Sequence, residues 1–162
     1  MMFQDKVILV TGAAGGVGHA IARSFAAEGA RVVICDVDRQ AGETLALELG
    51  EQGFLVSGDV SDPEICDAMV RSSVDHFGGL DVLVNGAGVI HVGDAAGTSA
   101  AQWRQVLGVN LDGAFYMSRA AMPHLIASGG AIVNVGSDFS LVGGEQLVAY
   151  CASKGGMLLM TK

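Results

Sequence analysis

Short apolar runs and amphipathic segments alternate along the whole chain. The runs are rich in Val, Ile and Leu, and they read KVILVTG, ARVVICD, FLVSGDV, LDVLVNGAG and GAIVNVGS. Strands buried on both faces have such continuous apolar runs, and parallel strands need a crossover connection between them. The alternation therefore predicts an α/β fold with a doubly wound parallel sheet, in a single domain over residues 1–162.

The composition excludes several classes of partner. The net charge of −8 disfavours nucleic acid and an anionic membrane surface, because each of them attracts a basic patch. No apolar run approaches the ~20 residues of a membrane span. The 3 cysteines have no metal-ligand spacing, which indicates reduced thiols and no metal site. Together with an N-terminus unlike a signal peptide, they predict a cytoplasmic protein.

Two helix starts carry capping signals in the sequence. Ser61 and Glu64 are expected to form a capping box at the start of the third helix. Thr98 is expected to cap a long helix from about Ser99 to Ser128, with an irregularity near Gly108–Gly113.

The segment TGAAGGVG, residues 11–18, lies between the first predicted strand and the first predicted helix. Amide N–H groups at the start of a helix attract an anion, and glycines let the backbone approach it closely. The spacing is G-x-x-x-G-x-G, which differs from the commonest dinucleotide fingerprint. An ordinary tight turn is the alternative. If the turn binds a dinucleotide, the residues expected to contact it are Gly12, Gly15, Gly16, Val17 and Gly18.

Asp36 ends the second predicted strand, 20 residues after Gly16. A carboxylate at this place accepts hydrogen bonds from the adenosine ribose hydroxyls and repels the 2′-phosphate of NADP. Gly15 and Val37 are uncharged and offer that phosphate no cation, so NAD is predicted rather than NADP. A solvated acid without a cofactor contact is the alternative.

Two further strand ends are candidates to line the dinucleotide, because ligands of such sheets bind beyond the carboxyl ends of the strands. Asp59 and Val60 follow the third strand and are expected to border the adenine. Asn85, Ala87 and Gly88 end the fourth strand, where small residues let the cofactor lie against the backbone. Both segments are also compatible with a purely structural role.

The order and spacing of these motifs resemble those of the short-chain dehydrogenase/reductase family. The resemblance rests on T-G-x-x-x-G-x-G at 11–18, Asp36, Asp59-Val60, N-G-A-G at 85–88, Asn110, Ser137 and Y-x-x-x-K at 150–154. It implies a Rossmann-like fold, a nicotinamide cofactor and catalytic roles for Asn110, Ser137, Tyr150 and Lys154. The family's N-N-A-G reads N-G-A-G here, and Gly86 is expected to loosen the loop under the cofactor.

Tyr150 and Lys154 share one face of a final helix that is predicted from about Val148. A phenol with a pKa of ~10 needs ~4 kcal/mol of stabilisation to ionise at pH 7. The Lys154 charge at ~6 Å supplies ~2.8 kcal/mol at an effective dielectric constant of ~20. Lysine alone is therefore insufficient, and the oxidised nicotinamide and the Ser137 hydroxyl are expected to supply the rest.

The roles of these residues follow from the resemblance and from chemistry together. Tyr150 exchanges the proton of the alcohol, and Ser137 polarises the substrate oxygen. Lys154 bonds the nicotinamide ribose, and Asn110 holds a water that connects Lys154 with solvent. Structural alternatives remain: a turn cap for Ser137, a kink-filling side chain for Asn110 and interface packing for Tyr150. His91 is expected to be a solvated loop residue rather than a substrate contact.

The main functional prediction is an NAD-dependent oxidoreductase that acts on a secondary alcohol or ketone. One alternative is a 3-oxoacyl-carrier-protein reductase-like enzyme, against which Asp36 and the acidic charge count. The other is a dinucleotide-binding or oligomerising module without turnover. Family members continue with more strands and a substrate loop, so the fold is expected to be incomplete after the fifth strand and the start of the sixth helix. A homo-oligomer (dimer or tetramer) is expected to cover the exposed strand edge.

Overall fold

Five parallel strands form one sheet in the computed structural model, which describes residues 1–162. The strands are β1 (Val7–Thr11), β2 (Arg31–Asp36), β3 (Gly53–Ser57), β4 (Val82–Asn85) and β5 (Ala131–Asn134). Their order across the sheet is β3-β2-β1-β4-β5, and each neighbouring pair is parallel. The predicted α/β fold with a parallel sheet is confirmed.

Helices connect the strands and follow the last one. They are α1 (Gly16–Ala27), α2 (Arg39–Leu49), α3 (Pro63–Phe77), α4 (Ala100–Leu107), α5 (Gly113–Ser128) and α6 (Val148–Met160). Short 3₁₀ turns lie at Gly50–Gln52 and Asp138–Ser140. None of the helices combines the length and the apolar character that crossing a membrane requires.

Each face of the sheet carries its own apolar layer, because successive residues of a strand point to opposite faces. On one face, Ile8 of β1 packs in a cluster with Ala22 of α1 and Leu45 of α2. On the other face, Leu9 belongs to a second cluster that includes Met117 of α5. All residues of β1 are buried, so the turn that follows this strand starts from the rigid centre of the molecule.

Two helix starts differ from the sequence prediction. Asp62 caps α3, and its carboxylate accepts from two amides of the first turn. The predicted capping box that begins at Ser61 is wrong, because the proline after Asp62 takes the first helical position and fixes the cap one residue later. The cap of α4 is Ser99 rather than Thr98, since Ser99 and Gln102 exchange the two hydrogen bonds of a capping box.

The irregularity predicted within the long helix is confirmed. A π-helical turn, Gly108–Asp112, joins α4 to α5 without a break. Its last hydrogen bond runs from the Gly113 N–H to the Gly108 carbonyl, five residues back. Such turns insert one residue into a helix and are frequent at functional sites.

The outer edge of β5 has no strand partner, and an apolar groove lies beside it. The groove has a volume of about 740 Å³. Apolar side chains of α5, β5 and the end of α6 contribute most of its lining: Phe115, Met122, Ile126, Ile132 and Met160. The predicted exposed strand edge is therefore present in the structure.

Candidate active site

The glycine-rich turn after β1 packs backbone to backbone against the turn after β4. A Cβ on Gly12 would lie 2.8 Å from the Ala87 Cα, and one on Gly86 would lie 2.8 Å from the Thr11 carbonyl oxygen. Gly12 also has a φ of +67°, a conformation that favours glycine. Because neither glycine can carry a side chain, the two turns form one continuous backbone surface at the carboxyl ends of the strands.

The remaining residues of the first turn divide into a closed side and an open side. A Cβ on Gly18 would run into the Gly12 carbonyl oxygen. Gly15 and Gly16 have no atom within 4 Å of a Cβ position, and the Val17 side chain is 63% exposed. The open side, residues 15–17, is therefore free to contact a ligand.

The start of α1 has unused hydrogen-bond donors. The side chains of Asp38, Asp62 and Ser99 accept hydrogen bonds at the starts of α2, α3 and α4. No side chain does so at the start of α1 or of α6. The first amides of a helix have no acceptor within the helix. At α1 these donors lie beside the open side, at the positive end of the helix dipole. This arrangement suits an anion such as a pyrophosphate.

Thr11 holds the turn after β4, a role that the sequence did not reveal. Its hydroxyl accepts from the Gly86 N–H and the Ala87 N–H, each at 3.1 Å, and donates to the Val84 carbonyl. Gly86 was expected to loosen this loop, but its amide is also bonded to the Val84 carbonyl at 3.1 Å. The only signal in the sequence was the position of a hydroxyl residue at the very end of β1.

Asp36 points its carboxylate back at the glycine-rich turn. One oxygen accepts from the Ala14 N–H at 2.9 Å, and the other accepts from the Asp38 N–H at 3.0 Å. Asp59 is exposed, and its carboxylate accepts from the Ser61 N–H at 2.9 Å. Asp36 is the last residue of β2, and Asp59 lies in the loop after β3, so both acids are at the carboxyl ends of their strands, where they were expected.

The side chains of two residues that were predicted to contact the cofactor have partners within the protein. The Asn85 amide nitrogen donates to Asn134 Oδ1 at 2.8 Å and to Ser118 Oγ at 3.0 Å, which ties β4 to β5 and α5. The Val60 side chain is 7% exposed and lies against Gly113, where a Cβ would be 2.8 Å from Val60 Cγ2. Their side chains thus have partners inside the protein, and the prediction that these two residues contact a cofactor stays a prediction.

Asn110 lies in the π-helical turn and is fully buried. Its Oδ1 accepts from the Val89 N–H at 2.8 Å, and its Nδ2 donates to the Val89 carbonyl at 2.9 Å and to Ser153 Oγ at 3.1 Å. Both amide hydrogens are therefore used within the protein. At this residue, a water can be held only by the second lone pair of Asn110 Oδ1 or by the backbone carbonyl of Asn110.

Lys154 and Tyr150 lie on the same face of α6, as the four-residue spacing predicted. Lys154 Nζ is 5.9 Å from the centre of the Tyr150 ring. A Cβ on Gly88 would lie 4.0 Å from Lys154 Nζ and 3.5 Å from Asn110 Oδ1, so these two groups border the same glycine. Burial lowers the pKa of the Lys154 ammonium.

Ser137 caps the short 3₁₀ turn after β5. Its Oγ accepts from the Phe139 N–H at 3.2 Å, and its N–H donates to Ser140 Oγ at 3.1 Å. The Phe139 ring in turn packs edge-on against Tyr150, with 6.3 Å between the ring centres. The turn cap that was the structural alternative for Ser137 is thus present, and the turn it caps contacts the tyrosine.

His91 is not the solvated side chain that was expected. Its Nε2 is buried and has no hydrogen-bond partner. The imidazole lies over Gly93, where a Cβ would be 2.8 Å from Nε2. The Gly93 N–H donates to the Gln146 carbonyl at 2.7 Å, just before α6 begins. His91 therefore packs on the contact between the loop after β4 and the segment that leads to Tyr150.

Comparison with known proteins shows which family this chain is similar to. The model of the family described as short chain dehydrogenase matches residues 6–162. A meso-2,3-butanediol dehydrogenase of Serratia marcescens is 39% identical over 100% of this chain and 65% of its own length. A D-threitol dehydrogenase of Mycolicibacterium smegmatis is 41% identical over 97% of this chain and 62% of its own length.

A galactitol 2-dehydrogenase of Agrobacterium fabrum is 37% identical over 100% of this chain. The chain spans 64% of that relative's length, and with 65% and 62% for the other two it covers only part of each of these three dehydrogenases. The match to the family model covers nearly all of the chain, and the chain belongs to the short-chain dehydrogenase/reductase family.

Proposed function

We propose that this protein is an NAD-dependent oxidoreductase that interconverts a secondary alcohol and a ketone. The observation that carries the proposal is the meeting of Lys154 and Asn110 beside Gly88, with Tyr150 on the same helix face as the lysine. A site that only binds a dinucleotide has no need of a phenol next to a buried ammonium, because such a pair serves proton transfer.

The residues around the glycine-rich turn fit a nicotinamide dinucleotide. Uncapped amides at the start of α1 suit the pyrophosphate, and the open side at residues 15–17 lets it approach. Asp36 suits the adenosine ribose of NAD and opposes the extra phosphate of NADP. A bound nicotinamide would supply the acceptor or donor of a hydride. We infer that residues 1–162 form one dinucleotide-binding domain.

The protein's own groups would handle the proton. Tyr150 takes it from the substrate hydroxyl at its phenolic oxygen, or returns it to the carbonyl in the reverse direction. The Lys154 ammonium favours the phenolate through its charge. Ser137 orients the substrate oxygen with its hydroxyl hydrogen, since its Oγ accepts the Phe139 N–H and keeps the hydrogen free.

The relatives suggest a substrate with several hydroxyl groups. The names of the three relatives specify butanediol, threitol and galactitol, each an alcohol with more than one hydroxyl. We propose a small polyol as the substrate class of this protein too. The 3-oxoacyl-carrier-protein reductase alternative predicts NADPH oxidation with an acyl thioester instead.

A comparison of the two tyrosines tests the proposal. NADH appearance is followed at 340 nm with 2,3-butanediol, threitol and galactitol, for the wild-type protein, Tyr150→Phe and the control Tyr116→Phe. Tyr116 lies on α5, where it packs against an apolar layer with Arg119 over its ring. We expect Tyr150→Phe to lose at least about 100-fold in kcat with NAD affinity retained, and Tyr116→Phe to stay active.

Two other results would contradict the proposal. NAD binding without turnover in the wild-type protein supports a binding module. Activity in Tyr150→Phe equal to that of the wild type removes the tyrosine from the chemistry. Self-association is a separate proposal, and light scattering that shows only monomers would contradict it.

A further inference from the structure

The Asp36 carboxylate makes a contact that recognition of a ribose does not require. Asp36 is the last residue of β2, and one of its oxygens accepts from the Ala14 N–H at 2.9 Å. Ala14 is in the middle of the glycine-rich turn, between Gly12 and Gly16. A side chain of one strand end thus holds the backbone of the turn that follows another strand.

The carboxylate is itself held in the orientation that this contact needs. Its second oxygen accepts from the Asp38 N–H at 3.0 Å. The Asp36 carbonyl accepts from the Gly58 N–H at 3.0 Å, which fixes the backbone of the same residue against the loop after β3. With both ends fixed, the first oxygen has little freedom to leave the Ala14 amide.

The turn has a second tie to β2, but it is weaker. The Ala13 N–H donates to the Cys35 carbonyl at 3.3 Å. The bond from Ala14 to a charged oxygen is shorter, and charge-assisted hydrogen bonds are about twice as strong as neutral ones. Gly12 and Gly16 on either side have positive φ values and are flexible without such ties.

From these contacts we infer that Asp36 is a positioning residue for the pyrophosphate site, acting through the Ala14 amide. It keeps the glycine-rich turn in the shape that exposes the amides at the start of α1. This inference rests on the proposed dinucleotide function and extends it. Asp36 then serves both halves of the cofactor: directly at the adenosine ribose, and through the turn at the phosphates.

Removal of the Asp36 carboxylate should affect different ligands, depending on whether this residue also holds the glycine-rich turn. If Asp36 acted only on the ribose, its removal would weaken NAD binding and improve NADP binding, with no effect elsewhere. If it also holds the turn, its removal weakens binding of any ligand that uses the phosphate site. A ligand without an adenosine ribose separates the two cases.

Nicotinamide mononucleotide is such a ligand, because it has a phosphate but no adenosine. Its affinity and that of NAD are measured by NMR titration for the wild-type protein, Asp36→Ala and Asp36→Asn. Amide hydrogen exchange of Ala14 is followed in the same proteins without ligand. The asparagine variant is the intermediate case, because its one neutral side-chain oxygen can accept from either Ala14 or Asp38 but not from both.

For Asp36→Ala we expect Ala14 exchange at least about tenfold faster, since loss of a hydrogen bond opens the amide. We also expect affinity for nicotinamide mononucleotide to fall at least about threefold, with NAD affinity falling further. For Asp36→Asn we expect values of Ala14 exchange and of mononucleotide affinity between those of the wild type and those of Asp36→Ala, since a neutral oxygen accepts a weaker hydrogen bond. Thermal melts check that the variants fold, and Asp36→Ser, whose hydroxyl is too short to reach Ala14, replaces an unfolded alanine variant.

Unchanged Ala14 exchange and unchanged mononucleotide affinity in Asp36→Ala would overturn the inference and leave a ribose contact alone. Faster Ala14 exchange without any loss of mononucleotide affinity in Asp36→Ala would overturn it too, since the turn would then not shape the phosphate site. A wild-type protein that binds neither ligand contradicts the proposed function, whereas the exchange of Ala14 still decides whether Asp36 holds the turn.

Discussion

Lys154 Nζ donates a hydrogen bond of 2.6 Å to the carbonyl oxygen of Val135, the residue that follows β5. The bond fastens α6 to the carboxyl end of the sheet. It also orients the ammonium, which is 5.9 Å from the Tyr150 ring centre. Lys154 as a whole is only 4% exposed, and no carboxylate lies within ion-pair distance of it. A group proposed for catalysis is thus a buried, unpaired cation, which stability alone would not favour.

This burial predicts a pH-dependent stability. Because burial lowers the pKa of Lys154, the unfolded chain binds this proton more tightly than the folded protein does. The free energy of unfolding should therefore rise with pH between the lowered pKa and the ordinary value of ~10.4. Lys154→Met lacks this contribution, so the stability of the wild type minus that of Lys154→Met should increase through the same window.

Urea unfolding of both proteins at several pH values between 7 and 10.5 measures the difference, and other titrating groups cancel. A difference that stays flat, or that falls as the pH rises, contradicts a depressed pKa for this lysine.

Two glycines of the glycine-rich turn should differ in how much stability their replacement by alanine costs. At Gly18 the new methyl group would run into the Gly12 carbonyl oxygen. We expect Gly18→Ala to lower the free energy of unfolding by at least about 2 kcal/mol, because a buried backbone contact cannot yield easily. Gly15 has an extended φ of −148° and open space around its Cβ position. Gly15→Ala should thus cost less than about 0.5 kcal/mol in chemical denaturation. Similar losses in the two variants would show that the turn is not built as described.

Replacement of Asn110 by alanine should lower the free energy of unfolding strongly, whatever this residue does in catalysis. Its side chain bonds both the N–H and the carbonyl of Val89, and also Ser153 Oγ. Asn110→Ala leaves these partly buried groups without partners and should cost about 3 kcal/mol. Ser153→Ala removes one of the three bonds, together with the bond from Ser153 Oγ to the Tyr150 carbonyl, and should cost about 1 kcal/mol. Equilibrium unfolding of both variants measures the ratio, and a cost for Ser153→Ala as large as that for Asn110→Ala would contradict this account.

The features predictable from sequence were those with a local physical cause. Continuous apolar runs fixed the five strands, and glycines near Gly108–Gly113 correctly marked the irregular helix. Tyr150 and Lys154 could be assigned to one helix face because their spacing matches the helical period. The proline at the first position of α3 makes Asp62 the cap, an effect that the predicted capping box from Ser61 did not include.

The features missed depend on contacts between segments far apart in the chain. Thr11 reaches the turn after β4, 75 residues later, and Asp36 reaches Ala14 across 22 residues. The Asn85 side chain bonds Asn134 on the neighbouring strand, and the Val60 side chain lies against Gly113 at the start of α5. No spacing rule in a single sequence encodes such partners, because they follow from strand order and helix placement.

The three cysteines differ in burial, and this predicts which thiol reacts. Burial raises the pKa of Cys35, with smaller contributions from Cys66 and Asp36. Burial, aided by nearby acids, raises the pKa of Cys66 to about 12. At pH 8 the thiolate of Cys66 is then present at a fraction of about 10⁻⁴, and only the thiolate reacts.

Cys151 is the half-buried one of the three, directly after Tyr150, and its sulfur accepts from the Gly144 N–H at 3.2 Å. We expect a disulfide reagent that releases a coloured thiol to modify one cysteine per native chain at pH 8, and all three after denaturation. Cys151→Ser should remove the fast reaction, whereas Cys66→Ser should leave it unchanged. Two or more fast thiols in the native protein would mean that the layer between the sheet and α3 opens to solvent, contrary to the complete burial of Cys35 and Cys66.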